Sequence, residues 1–426
     1  MTFEEAVAYV SDLAPRGWRL GLDRMREFAR RAGLDSALGP HPRFVHVAGT
    51  NGKGSVTAYV ESILHEAGER VGSYYSPFVY DIRERIQVNR RLIPREEFAA
   101  LVERLRPVAE SFDGGEYGPI SEFEFKTAMG FAHWADRGCS WVALEVGLGG
   151  RLDATNIVDP AAAVVVSIGL DHVDILGGTL ESIAFEKAGV AKAGRPLIVG
   201  DLPRPALEVV LRQAETVGCP VWVFGREIRL VEDDGQWTVS VPGRTVEGLT
   251  PGMEGEAQPH NLALAVAALV AGGATLTDEA IRLGAATTQL PGRFERRQVA
   301  GRTVVLDGAH NAEAARVLAR SLLRAFPGLR MPMVAGAVRG HDPVGVFREL
   351  APSVDRVFAA PMAFSRALSP REVAEAADRA GIRAEPCPTV AHAVRRAMDA
   401  APPGVPVLVA GSFYLLGEAV RALAPL

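Results

Sequence analysis

The chain has 426 residues, more than one ordinary core holds, so two domains are expected. With 48% hydrophobic and 23% charged residues it reads as a soluble globular protein, and a net charge of −5 gives no reason to expect a nucleic-acid partner. Three widely spaced cysteines, Cys139, Cys219 and Cys387, argue against a disulfide framework or a zinc site and for a reducing compartment.

The opening MTFEEAVAYVSDL is acidic and amphipathic, without the basic flank of a signal peptide. No stretch approaches the roughly 18 uninterrupted apolar residues of a membrane span, so the cytoplasm is expected. Helical periodicity covers 3–13 and 19–32, broken by Pro15 and Gly17. Residues 44–48, FVHVA, read as a buried parallel strand that runs into the turn 49–55, GTNGKGS, and then into a helix from Val56 to Ala67. A short strand at 70–75 ends at Ser76-Pro77, and 80–91 reads as polar loop. Helices are predicted from Pro94 to Ser111 and over 123–136.

Two apolar strands follow, at 140–146 and 161–168, the first ending in Glu145 and a glycine loop, the second in Gly169-Leu170-Asp171-His172. The spacing then predicts a helix at 180–192, a strand at 196–200, a helix at 205–217 and a strand at 221–224. Residues 227–246 suggest antiparallel strands around Asp233-Asp234-Gly235, followed by helices at 260–271 and 278–286. Leu290 to Phe294 reads as a linker. Beyond it βα alternation restarts, with strands at 303–306, 331–335, 356–359 and 405–409 and helices at 311–325, 343–350, 370–380, 390–400 and 413–423.

The chemistry gathers at strand ends. Glycines at 49, 52 and 54 let backbone N–H groups face a phosphate, the helix start adds partial positive charge, and Lys53 is placed to reach outer phosphates. The loop is a variant of the general P-loop, with Val47 where that pattern has glycine and Gly54 between the lysine and Ser55. Glu145 has the position of a magnesium-organising acid, and a turn-capping carboxylate is the bland alternative. His172 taken alone fits a structural role at least as well as a ligand's. Lys187 in a helix reads as a solvated charge, although a buried lysine near a metal can take up CO₂ as a carbamate. Asp307 and Asn311 open a helix after a strand, where capping and site roles are compatible.

Taken together, HVAGTNGKGS (46–55), YSPFVYDIRERIQVN (75–89), FEFKTA (123–128), LEVGLGGRLDATN (144–156), LDHVDILG (170–177), FEKAG (185–189), LPGRF (290–294) and LDGAHN (306–311) resemble folylpolyglutamate synthase and the bifunctional dihydrofolate synthase of the Mur ligase superfamily. The resemblance spans nearly the whole chain. It implies an α/β fold: a P-loop-containing, Mur-ligase-type ATPase and folate-binding domain over 1–292, and a smaller Rossmann-like ligase domain over 293–426, with an active site in the cleft between them. It also implies ATP- and Mg²⁺-dependent ligation of L-glutamate to dihydropteroate or (poly)glutamylated tetrahydrofolate through an acyl phosphate.

Position by position, the resemblance makes Asn51, Gly52, Lys53, Gly54 and Ser55 the triphosphate cradle and Ser76, Glu145 and His172 the Mg²⁺ ligands. Lys187 falls on the carbamylated lysine. Phe123, Glu124, Leu152, Asp153 and Ala154 fall on folate-binding positions, and Asn261, Arg293 and Asp307 on ATP contacts from the far side. Lys53, Lys187 and His310 are the catalytic candidates. The partners implied are small molecules, and a monomer is expected.

Two positions depart from the family: Phe78 replaces the histidine of Ser-Pro-His, and Gly340-His341-Asp342-Pro343 stands where Lys-Asp is common. Phe78 leaves room for another Mur-type amide ligase with a different acid acceptor. A P-loop switch ATPase leaves DGAHN and LPGRF unexplained, and a folate-binding protein without catalysis has no use for Lys53, Glu145, His172 and Lys187 together.

Overall fold

The computed structural model describes residues 1–14 and 21–424. The Pro15–Gly17 break and residues 19–20 of the predicted second helix lie outside the described residues; the described part of that helix is Asp23–Arg31. The chain groups into two compact units. One comprises 1–170, 176–252 and 259–288; the other comprises 171–175, 253–258 and 289–426.

The first unit is built on an eight-stranded sheet. Its strands are β1 Arg43–Ala48, β2 Val71–Tyr74, β3 Ile86–Val88, β4 Arg91–Leu92, β5 Trp141–Glu145, β6 Ala162–Val165, β7 Leu197–Val199 and β8 Val221–Val223, in the order β4-β3-β2-β5-β1-β6-β7-β8. Strands β3 and β4 run antiparallel at one edge, and the rest pair in parallel. The central strands are apolar runs buried on both faces, as parallel strands under helices must be. The cluster around Phe28, Phe98, Phe125 and Trp134 and the one around Ile183, Val199 and Val210 lie side by side on one face, where the register sets Phe44, Leu144, Ala48 and Val165 on the same side. The segment expected to be polar loop at 80–91 instead makes a 3₁₀ turn, Ile82–Arg85, and then β3 and β4.

Helix Lys53–Glu66 is buried along most of its length. Helix Asp278–Thr287 approaches it at Gly284, where a Cβ would lie 2.5 Å from the Cα of Ile63. The helix predicted over 180–192 stops at Ala188. Gly189 follows, and any side chain there would strike Arg151, with a Cβ placed 2.2 Å from that of Arg151. A separate antiparallel sheet, β9 Arg229–Asp233, β10 Gln236–Val241 and β11 Arg244–Leu249, contains the predicted hairpin, with Asp234 and Gly235 both at positive φ.

The second unit carries a six-stranded sheet: β12 Glu295–Val299, β13 Arg302–Asp307, β14 Met331–Ala335, β15 Val354–Ala359, β16 Arg383–Pro386 and β17 Val407–Ala410, ordered β12-β13-β17-β14-β15-β16. All neighbours are parallel except β12, which forms a hairpin with β13. Strands β12 and β16 were absent from the sequence expectation, and both are half-exposed edge strands. The helices at 312–325, 343–350, 370–379, 390–400 and 413–423 follow the expected alternation, around a core that includes Leu322, Met333, Phe347 and Val357.

Candidate active site

In the first unit, β5, β1 and β6 are neighbours, so the loops leaving their carboxyl ends lie side by side, where open α/β sheets collect ligands. The β1 loop is fixed by the β6 loop. Thr50 donates its N–H to Ser167 O at 2.9 Å, and its hydroxyl accepts from Gly169 N at 3.0 Å. Asn51 N–H donates to the Ser167 hydroxyl at 2.9 Å, and that hydroxyl donates back to Asn51 O at 3.0 Å. Ser167 was not anticipated; it lies just beyond an apolar strand with no motif of its own.

Gly52 sits at φ +83, and a Cβ there would meet Asn261 Oδ1 and Val166 Cγ1, each at 2.8 Å. Asn261 thus packs against the glycine loop within the first unit, while Arg293 and Asp307 belong to the second. Lys53, the first residue of its helix, folds its ammonium back to donate to Gly49 O (3.0 Å) and Thr50 O (3.1 Å). Ser55 is buried one turn into the helix, beside Gly54.

Lys187 is not a solvated charge. It is 4% exposed, and its ammonium donates to the same Gly49 carbonyl at 2.9 Å. Glu145 ends β5, is 2% exposed, and accepts the N–H of Ser76 at 2.8 Å. A buried carboxylate next to a serine at a strand end suits a hard, oxygen-preferring cation such as Mg²⁺.

The folate candidates are also in this unit, and several have structural duties. Glu124 is the third residue of a capping box with Ser121 and makes a buried two-oxygen contact with Arg24 at 2.7 and 2.9 Å. Asp153 caps the turn Ala154–Ile157, accepting from Thr155 N (3.0 Å), Thr155 Oγ1 (2.5 Å) and Leu148 N (2.9 Å). Burial pushes its carboxyl up, against those hydrogen bonds. Phe123 covers Gly147, where a Cβ would lie 2.3 Å from its ring. The Arg85 guanidinium stands 6.0 Å from the Phe123 ring and 5.8 Å from that of Phe78. Leu152 precedes Asp153 in this loop and is half-buried.

In the second unit, Asp307 ends β13 and accepts from Phe294 N (2.8 Å) and Ala309 N (2.9 Å). Burial raises its carboxyl, opposed by the charge of Arg293. Arg293 lies 4.1 Å over the ring of Phe413. Gly308 is demanded by the same ring, since a Cβ would fall 1.9 Å from it.

His310 and His172 lie in this unit too, with a residue the sequence undervalued. The ring of His341 is 5.1 Å from that of His310 and 5.5 Å from that of His172. Between them sits Asp171, 3.2 Å from His341 Nδ1 and 3.6 Å from His310 Nε2. Burial alone would raise the Asp171 carboxyl, but the two histidines hold it well below the ordinary carboxylate range. Among the described residues, no helix is long and apolar enough to cross a membrane.

Residues 292–413 match the family described as Mur ligase, glutamate ligase domain. The chain is 34% identical over 390 residues to the dihydrofolate synthase/folylpolyglutamate synthase of Bacillus subtilis, covering 88% of this chain and 89% of that one. Among solved structures it is similar to Escherichia coli FolC in complex with DHPP and ADP, at 33% identity and TM-score 0.89, covering 100% of this chain and 98% of that one. It is also similar to the Yersinia pestis bifunctional folylpolyglutamate synthase/dihydrofolate synthase complexed with AMPPNP and Mn ion, at 33% identity and TM-score 0.87, with the same coverage. With its glycine loop, its strand-end carboxylate and this likeness over its full length, the chain belongs to the dihydrofolate synthase/folylpolyglutamate synthase family of ATP-dependent Mur-type ligases.

Proposed function

We propose that this ligase joins L-glutamate to dihydropteroate, to (poly)glutamylated tetrahydrofolate, or to both, with ATP and Mg²⁺. The observation that carries the reading is the convergence of Lys53 and Lys187 on the Gly49 carbonyl, in a loop beside the strand that ends in Glu145. The acceptor's carboxylate oxygen attacks the γ-phosphorus of ATP, giving an acyl phosphate and ADP. The glutamate amine then adds to the acyl carbon, a proton leaves the nitrogen, and the tetrahedral intermediate expels phosphate to leave the amide.

In the first unit, residues 51–55 and Asn261 hold phosphates, with Lys53 offsetting charge as it builds on the transferring group. Ser76 and Glu145 are metal ligands there, and Lys187 carries the carbamate. Phe123, Glu124, Leu152, Asp153 and Ala154 border the pterin. In the second unit, Arg293 and Asp307 contact the nucleotide, His172 is a metal ligand, and His310 lies near glutamate. When bound, Mg²⁺ would shield phosphate charge. The ATPase and folate-binding part is assigned to 1–292 and the ligase part to 293–426, in a cytoplasmic monomer.

The test is ATP-dependent phosphate release and ligated product with L-glutamate, with dihydropteroate and tetrahydrofolate supplied separately. Turnover with both means a bifunctional enzyme, and turnover with tetrahydrofolate alone an extension enzyme. Turnover with neither, while ATP still binds, refutes the acceptor assignment and points to another acid near Phe78.

A further inference from the structure

The second unit holds a cluster, Asp171, His310 and His341, of which the proposed ligase reading uses only His310. Their ligand atoms all lie within 4.8 Å of one another. Tetrahedral coordination with bonds of about 2.1 Å sets neighbouring ligand atoms about 3.4 Å apart. Asp171 Oδ1 is 3.2 Å from His341 Nδ1, and Oδ2 is 3.6 Å from His310 Nε2, so each imidazole nitrogen stands near that edge length from one of the two carboxylate oxygens.

The surroundings hold the three groups in place. His310 Nδ1 lies 2.8 Å from Gly308 O. A carbonyl only accepts, so Nδ1 carries the hydrogen, and in the neutral ring the lone pair sits on Nε2, directed at Asp171. A backbone carbonyl on the outer nitrogen is the usual support of a metal-bound histidine. Asp171 Oδ1 is steadied by His172 N–H at 2.9 Å and Oδ2 by the Asn311 amide at 3.3 Å. The His310 and His341 side chains remain 27% and 15% exposed, which leaves a path for an ion.

We propose that Asp171, His310 and His341 form a binding site for a borderline divalent cation of the Zn²⁺ or Co²⁺ class. Two imidazoles and one carboxylate favour such an ion over Mg²⁺, which prefers an all-oxygen octahedron. The ligand in the stretch that departs from the family's common Lys-Asp is His341: a lysine at that position would face Asp171 as a fixed cation and offer no lone pair. A proton on His310 Nε2 would also satisfy the facing oxygen, and that ion-pair-only arrangement is the competing outcome.

The experiment titrates the full chain, stripped with chelator and kept in excess Mg²⁺, with Co²⁺, following the visible d–d absorption; Zn²⁺ is then added as competitor. One equivalent of Co²⁺ is expected to bind and to be displaced by Zn²⁺. His341→Lys and Asp171→Asn should each weaken binding by roughly 10- to 100-fold. His341→Phe retains an aromatic ring without a ligand and should lose binding equally, which keeps the test decisive if Asp171→Asn does not fold. Circular dichroism establishes that each variant is folded. Absence of Co²⁺ uptake by the parent chain, or an unchanged isotherm in folded His341→Lys, overturns the proposal and leaves an ion-pair network only.

Discussion

Replacing Gly52 by alanine tests whether the glycine loop is shaped by backbone freedom alone or also by what packs on it. Two costs are legible. At φ +83 an L side chain is strained, by roughly 1–2 kcal/mol. The new methyl would also lie 2.8 Å from both Val166 Cγ1 and Asn261 Oδ1. Val166 is β-branched and 2% exposed, and Asn261 is 3% exposed, so neither has space to withdraw. Overpacking of this kind costs about 1–3 kcal/mol.

Gly68 supplies the control: it has φ +86 with nothing within 4 Å of its would-be Cβ. Gly68→Ala therefore carries the strain without the clash. Urea denaturation should show Gly52→Ala losing about 1–3 kcal/mol more than Gly68→Ala, the packing component alone. Calorimetric titration with ADP should show at least about tenfold weaker binding for Gly52→Ala, the equivalent of roughly 1.4 kcal/mol, and unchanged binding for Gly68→Ala. Equal stability losses in the two variants would refute the claim that Val166 and Asn261 set the loop's shape.

Lys53→Ala should lower ATP turnover by about two orders of magnitude or more, read as phosphate release, while the melting temperature stays near that of the parent; an unchanged rate removes Lys53 from the phosphate cradle. His46 is fully buried against Thr155, and burial holds its imidazole down to about 3. The unfolded chain therefore takes up a proton near pH 6.5 that the folded chain refuses, so this stability is complete above pH 6.5 and falls as pH drops toward 3. The loss is up to about 1.4 kcal/mol per pH unit, and His46→Gln should flatten the slope of urea stability between pH 6.5 and 5. Gly308→Ala should cost about 1–3 kcal/mol by displacing the Phe413 ring that carries Arg293; a loss below about 0.5 kcal/mol would mean that the ring swings aside freely.

The candidate residues of both units were legible where chemistry and local pattern coincide. An apolar run ending in glycines fixed β1 and its loop, and Glu145 and Asp307 stood at the ends of equally clear runs. Strands β12 and β16, ERRQV and RAEP, escaped because edge strands with one wet face need no apolar run. Ser167 and His341 act through partners distant in sequence, Asn51 and Asp171, so no local spacing marks them. Glu124 and Asp153 show the converse: each carries a capping role plain in its own neighbourhood, alongside the folate role that the resemblance implies. Lys187 was ambiguous because FEKAG does not reveal which way the helix faces; its buried contact with Gly49 O does.

That contact bears on the chemical state of Lys187. The ammonium nitrogens of Lys53 and Lys187 lie 3.0 and 2.9 Å from one oxygen, so they are at most 5.9 Å apart (3.0 + 2.9). Two positive charges at that distance repel by about 3 kcal/mol at an effective dielectric constant of about 20. Loss of one proton frees the Lys187 amine, and addition of CO₂ to that amine with loss of a second proton completes the replacement of a cation by an anion, turning this repulsion into an attraction of similar size. The carbamate keeps an N–H for the Gly49 carbonyl and gains an oxygen donor suited to Mg²⁺. Enzyme equilibrated with carbon-13 bicarbonate should therefore show a carbamate resonance that Lys187→Ala lacks. Lys187→Ala should also lose most activity, with partial rescue by short carboxylates. Full activity in Lys187→Ala, or a resonance that survives the substitution, would show that Lys187 serves the Gly49 carbonyl as a plain ammonium and that the repulsion is tolerated.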